Sequence, residues 1–93
     1  MMLTDQELYE AVEGAIRTVM NLNGQLIGPS TAIVGELGAE SIDFLDISCE
    51  IEKRIDLQVD FRQLFRGRRA QTGSSANDLT LEDVVVHLKA RKQ

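Results

Sequence analysis

Apolar residues recur at helical spacing in three stretches of the chain, and each stretch opens on residues suited to starting a helix. In the first, Leu8, Val12, Ala15, Ile16, Val19 and Met20 fall on one face, which predicts a helix from about Asp5 to Met20. Thr4 and Glu7 have the spacing of a capping box, and Leu3 and Leu8 that of a hydrophobic staple. In the second, Phe44, Ile47, Ser48, Ile51 and Ile55 form an inward stripe, predicting a helix from Ser41 to Ile55. Asp43, Asp46, Glu50 and Lys53 form a charged stripe on the same helix, with Ile42, Leu45 and Cys49 between the two. In the third, Thr80 and Asp83 make an acidic version of the capping box, and Leu81, Val84, Val85 and Leu88 supply the apolar face. Lys89, Arg91 and Lys92 suit the carboxyl end of that helix, where the dipole favours cations.

The segments between these helices differ in character. Asn21 to Gly35 contains Asn23-Gly24 and Gly28-Pro29-Ser30, enough turn chemistry for a long loop, with Ile27, Ile33, Val34 and Leu37 available to tuck beneath it. Leu57 and Val59 alternate with polar residues for too short a run to force a strand. Phe61, Leu64 and Phe65 predict a short helical turn near Asp60 to Arg66, and the polar run from Gly67 to Asn77 then reads as a mobile loop. The expectation is an all-α fold: a small antiparallel four-helix bundle, with three main helices, a short helix III and a long loop between helices I and II. Residues 1–93 form one domain in this reading, without internal repeats.

Composition narrows the function classes. Ninety-three residues suffice for one core, and with only four aromatics among 43% hydrophobic residues that core must be mostly aliphatic. One cysteine excludes an internal disulfide framework, and no cluster has zinc-ligand spacing. With neither a secretory signal pattern nor a run long enough to span a bilayer, a cytoplasmic protein without stable membrane insertion is expected. Location sharpens the net charge of −5: Glu40 to Asp60 holds seven acids against two bases, so this segment carries all of it. That field disfavours nucleic acid and suits a basic protein partner, although a solvated helix face has the same composition.

The candidate chemistry sits where that acidic segment begins. In Leu37-Gly38-Ala39-Glu40-Ser41-Ile42-Asp43-Phe44-Leu45-Asp46, Gly38 frees the backbone to turn, Ser41 caps or begins the helix, and Asp43 and Asp46 place negative charge in its first turns. A serine held there is exposed and addressable, in the manner of an attachment point. An enzyme is the rival: Ser41, His87 and an acid could be named as a triad. The run lacks the Gly-x-Ser-x-Gly elbow, however, and a small helical chain offers little rigid cleft, so no catalytic residues are assigned. Cys49 reads as a small buried or half-buried apolar residue, and His87 as a surface or helix-packing one.

The run resembles the prosthetic-group site of acyl carrier proteins, with Glu40-Ser41-Ile42 standing where that family usually has Asp-Ser-Leu. Leu37-Gly38-Ala39 before the serine, Asp43 and Asp46 after it, and Glu50-Ile51-Glu52-Lys53 beyond agree with the family pattern. The resemblance implies a four-helix bundle whose Ser41 receives 4'-phosphopantetheine from coenzyme A, and whose arm holds acyl groups as thioesters in fatty acid or lipid biosynthesis. It implies a monomer that meets a phosphopantetheinyl transferase and acyl-transferring and fatty-acid synthesis enzymes, with Glu40, Ile42, Asp43, Asp46 and Glu50 as recognition residues. Ser-Ile-Asp-Phe-Leu-Asp-Ile from Ser41, with the longer connector, is similar to specialised carriers that bring very long acyl chains to lipid A.

An aminoacyl, peptidyl or D-alanyl carrier, or an unmodified helical interaction module, would share many of these features. The helix III region departs from the family: it lacks the usual proline and carries Arg62, Arg66, Arg68 and Arg69 where the family tends to be acidic. These arginines could meet acidic headgroups or an acidic patch on an acyltransferase, pair with the acids of helix II, or stay solvated.

Overall fold

The computed structural model describes residues 3–22, 24–72 and 78–91, without the side chains of 68–72. Four helices follow in order: α1 (Asp5–Met20), α2 (Ser41–Ile55), α3 (Phe61–Thr72) and α4 (Leu81–Arg91). The described residues form no strand beyond an isolated bridge between Ala32 and Thr80.

Both capping boxes form. At α1 the Thr4 hydroxyl accepts from the Glu7 N–H at 3.1 Å and Glu7 Oε1 accepts from the Thr4 N–H at 2.9 Å. At α4 the Thr80 hydroxyl accepts from the Asp83 N–H at 3.2 Å, and Asp83 Oδ2 accepts from the Thr80 N–H at 2.9 Å. Each pair satisfies donors that a helix start would otherwise leave without partners. α1 packs against both α2 and α4, closing an aliphatic core around Leu8, Val12 and Ile16, Ile47 and Ile51, and Val84, Val85 and Leu88. Lys89, in the last turn of α4, reaches Asp5 in the first turn of α1 at 2.9 Å, so these two helices run antiparallel. Arg54 of α2 crosses α1 where Gly14 leaves room, donating to the Thr18 hydroxyl at 3.1 Å and the Gly14 carbonyl at 3.4 Å.

The expected bundle is present, but helix III is not short. α3 continues through Gly67 to Thr72, where sequence pattern predicted a turn ending at Arg66 and a mobile loop beyond. Arginine, glutamine and alanine are among the best helix formers, so the one glycine, at a cost of roughly 1 kcal/mol, interrupts an otherwise helix-favouring run. The rest of that expected loop, 73–77, lies outside the described residues, as do Asn23, Lys92 and the side chains of Arg68 and Arg69. α3 is also the least packed helix, with few contacts to α4. Its hold on the core is aromatic: Phe61 and Phe65 lie 5.0 and 5.3 Å from Phe44, ring centre to ring centre, the second edge-to-face.

The long first loop is fastened by buried side chains and by hydrogen bonds to residues 78–82. Ile33 is fully buried, and Ile27, Val34 and Leu37 pack partly against the core as their apolar character required. The fastening itself comes from Asp78. Its carboxylate accepts from the Val34 N–H at 2.9 Å, the Gly35 N–H at 3.0 Å and its neighbour Leu79 N–H at 2.8 Å. The Ile33 N–H donates to the Leu79 carbonyl and the Glu82 N–H to the Pro29 carbonyl, so the loop lies on the amino end of α4. Three N–H groups share one carboxylate, so Asp78→Ala is expected to lower stability by about 2 kcal/mol in urea unfolding. Asp78→Asn, which keeps one acceptor oxygen, is expected to lose less.

Candidate functional site

The fastened loop turns into α2 through a short relay. Gly38 takes φ +75, a left-handed conformation that its N–H stabilises by donating to the Val34 carbonyl at 2.9 Å. Ala39 is buried and donates to the Ile33 carbonyl at 3.2 Å, which anchors the chain one residue before the helix cap. Glu40 is the N-cap residue of α2, and its N–H donates to Asp43 Oδ2 at 2.8 Å. Asp43 therefore helps to build the helix start as well as placing charge there.

Ser41 is the first helical residue and is exposed. Its hydroxyl makes no hydrogen bond among the described residues, and neither its N–H nor that of Ile42 finds an acceptor there. An open hydroxyl beside unsatisfied amide donors at a helix amino terminus can hold an anion.

Downstream, α2 sorts its side chains as its two stripes required. Phe44, Ile47 and Ile51 are buried, and the half-buried Ser48 hydroxyl donates to the Val59 carbonyl at 3.3 Å. Asp46 is exposed and pairs with no cation among the described residues. Glu50 differs: it lies 3.5 Å from Lys53 and 3.9 Å from Arg54, so a partner would compete with internal cations for it. Ile42 and Leu45 are 63% and 69% exposed, an apolar edge beside the acids. Cys49 is exposed too, against the expectation of a buried or half-buried residue. It follows Leu45 by four positions and Ile42 by seven, so it shares their outward edge.

A groove of about 1160 Å³ opens beside Ser41 and runs between α2 and α3. Phe44, Leu45, Val59, Phe61 and Phe65 give it an apolar lining, and Arg62, Arg66 and Arg91 border it. Sequence reading missed this groove because its walls come from separate elements. The concentration of three of the four aromatics at Phe44, Phe61 and Phe65 was the available signal.

His87 belongs elsewhere. It lines a separate shallow depression with Leu64 and Val86, apart from the Ser41 groove, so the two residues of a hypothetical triad are not brought together. Its Nε2 accepts from the Asp60 N–H at 3.2 Å, tying α4 to the residue that caps α3, where Asp60 Oδ1 accepts from the Gln63 N–H. Burial lowers its pKa first, and the nearby Arg91 charge lowers it further against the opposing pull of Asp60. No group of potential metal ligands occurs among the described residues.

Residues 10–71 match the family model described as the phosphopantetheine attachment site. The chain belongs to this family. No curated protein matches it. A domain of this family bears a covalent 4'-phosphopantetheine, so the protein is a carrier of that arm and not a catalyst, and it works with a phosphopantetheinyl transferase and with enzymes that act on the arm's load. No helix among the described residues is long and apolar enough to cross a membrane.

The histidine contact gives this carrier a pH dependence of defined sign. The unfolded side chain takes up a proton near pH 6.5 and the folded one only at lower pH, because burial and the nearby Arg91 charge disfavour the protonated ring. The contribution is therefore complete above about pH 6.5 and is lost as pH falls toward the folded value. Urea unfolding of wild type is expected to weaken over that interval, and His87→Gln is expected to flatten the change.

Proposed function

We propose that Ser41 is the attachment residue and that the protein is an acyl carrier serving fatty acid or lipid biosynthesis. The observation that carries this reading is the groove, walled in part by Phe44, Val59 and Phe65, that begins at an exposed, unbonded serine hydroxyl. The terminal thiol of the bound arm supplies a thioester linkage for the cargo. What the chain supplies is placement. Ser41 presents its oxygen at the start of α2, and the Ser41 and Ile42 N–H groups fit the phosphodiester that such an attachment requires. The exposed Asp46, with Ile42 and Leu45, offers a basic partner charge and apolar contact on one edge, joined by Glu40, Asp43 and Glu50.

An aliphatic chain gains by leaving water, and the lining between Phe44, Val59 and Phe65 gives it somewhere to go. An aminoacyl, peptidyl or D-alanyl load would have little use for that lining. The proposal extends to a cytoplasmic monomer, and to very long chains of the lipid A type if the stability gain keeps rising with chain length.

Incubation with coenzyme A and a phosphopantetheinyl transferase, read by intact mass, is expected to add one phosphopantetheine to wild type and none to Ser41→Ala. No gain on wild type would sink the proposal, and so would an unchanged gain on the variant. Asp46→Lys is expected to slow the modification about two- to tenfold at low salt, with the difference shrinking as salt rises. Loaded with fatty acyl chains of increasing length, the protein is expected to melt at rising temperature, whereas a D-alanyl load leaves the melting temperature at that of the unacylated form.

A further inference from the structure

The groove beside Ser41 is not uniformly apolar. Arg62 and Arg66 stand one helical turn apart on α3, and Arg91 comes from the last turn of α4, so two elements deliver three arginines to one lining. All three are exposed, and none makes an ion pair among the described residues. The two carboxylates of the same lining are Glu40, at the cap of α2, and Asp60, whose Oδ1 is occupied in capping α3. On a chain of net charge −5, a cluster of unpaired cations facing an apolar groove is a local inversion of the prevailing field.

We infer that the groove selects an acyl cargo whose far end carries a carboxylate, with the chain's methylenes against Phe44, Phe61 and Phe65 and the carboxylate among Arg62, Arg66 and Arg91. This rests on the carrier reading of Ser41. Arginine presents a planar fork that matches a carboxylate, and this geometry favours the pairing over a diffuse cationic surface. A phosphodiester on the Ser41 oxygen stays where it is bonded, whereas the free end of a cargo can travel along the groove to α3. A simple hydrocarbon end would meet guanidinium groups there and gain nothing from them.

The test compares two thioesters of equal length on the intact protein, decanoyl and decanedioyl, each loaded from its coenzyme A ester by a phosphopantetheinyl transferase and verified by intact mass. The readouts are the rate of thioester cleavage by hydroxylamine, which falls as the cargo spends more time in the groove, and the melting temperature. The dicarboxylate is expected to be cleaved about two- to fivefold more slowly, the scale of an exposed ion pair. Raising salt, or Arg62→Gln with Arg66→Gln, is expected to remove that preference while circular dichroism shows the same helix content. Arg91→Gln is expected to reduce it.

Equal cleavage of the two thioesters would overturn the inference and leave the arginines to an acidic protein partner. A preference that survives the double variant would overturn it as well, and so would a variant effect confined to the unacylated arm, which would assign the cations to its phosphate. Failure to load either cargo would instead refute the carrier reading, so the two failures are distinguishable.

Discussion

A single carboxylate organises the entry into α2, where the proposed attachment residue sits. Asp78 gathers the N–H groups of Val34, Gly35 and Leu79, and so ties a loop some twenty residues long to the amino end of α4. Without such a fastening the loop would sample many paths, and the start of α2 would inherit that freedom. With it, Ile33 stays in the core, Gly38 can make its left-handed turn against Val34, and Ala39 is buried beside the helix cap. The open hydroxyl of Ser41 is placed by contacts that do not involve Ser41 itself.

The helix that follows serves two environments at once. Its inward face joins the aliphatic core, while Asp46, Ile42, Leu45 and Cys49 remain in solvent as a mixed acidic and apolar edge. α3 is held more lightly, mainly through Phe61 and Phe65 on Phe44 and through the Asp60 to His87 contact. Light attachment suits the proposed role of the groove in taking up and releasing a cargo, since a helix with little buried contact can shift at low cost. The same aromatic contacts that retain α3 form the groove's lining, so packing and access are coupled through three rings.

Local pattern disclosed most of this fold. The caps at Thr4 and Thr80 and the bounds of α2 follow from residues within one or two turns of each other, where spacing dictates geometry directly. The length of α3 was hidden, because beyond Phe65 no apolar period remains and only a sum of weak propensities opposes the glycine. The Asp78 and His87 contacts were hidden for another reason: their partners stand 44 and 27 positions away, and nothing in either neighbourhood marks them. Cys49 was misjudged because a small apolar residue between two stripes has no fixed side until the packing of α1 chooses one. The family resemblance pointed to Ser41, but the groove beside it required the meeting of α2 and α3.

The central claim is that the fastened loop presents Ser41 as the residue bearing the phosphopantetheine arm. Peptide mapping of the wild-type protein recovered from its own host, with fragmentation that releases the arm, tests it most directly. The account expects the added mass on the peptide containing Glu40-Ser41-Ile42 and on no other serine or threonine. An arm on a different residue, or protein recovered wholly without one, would contradict it.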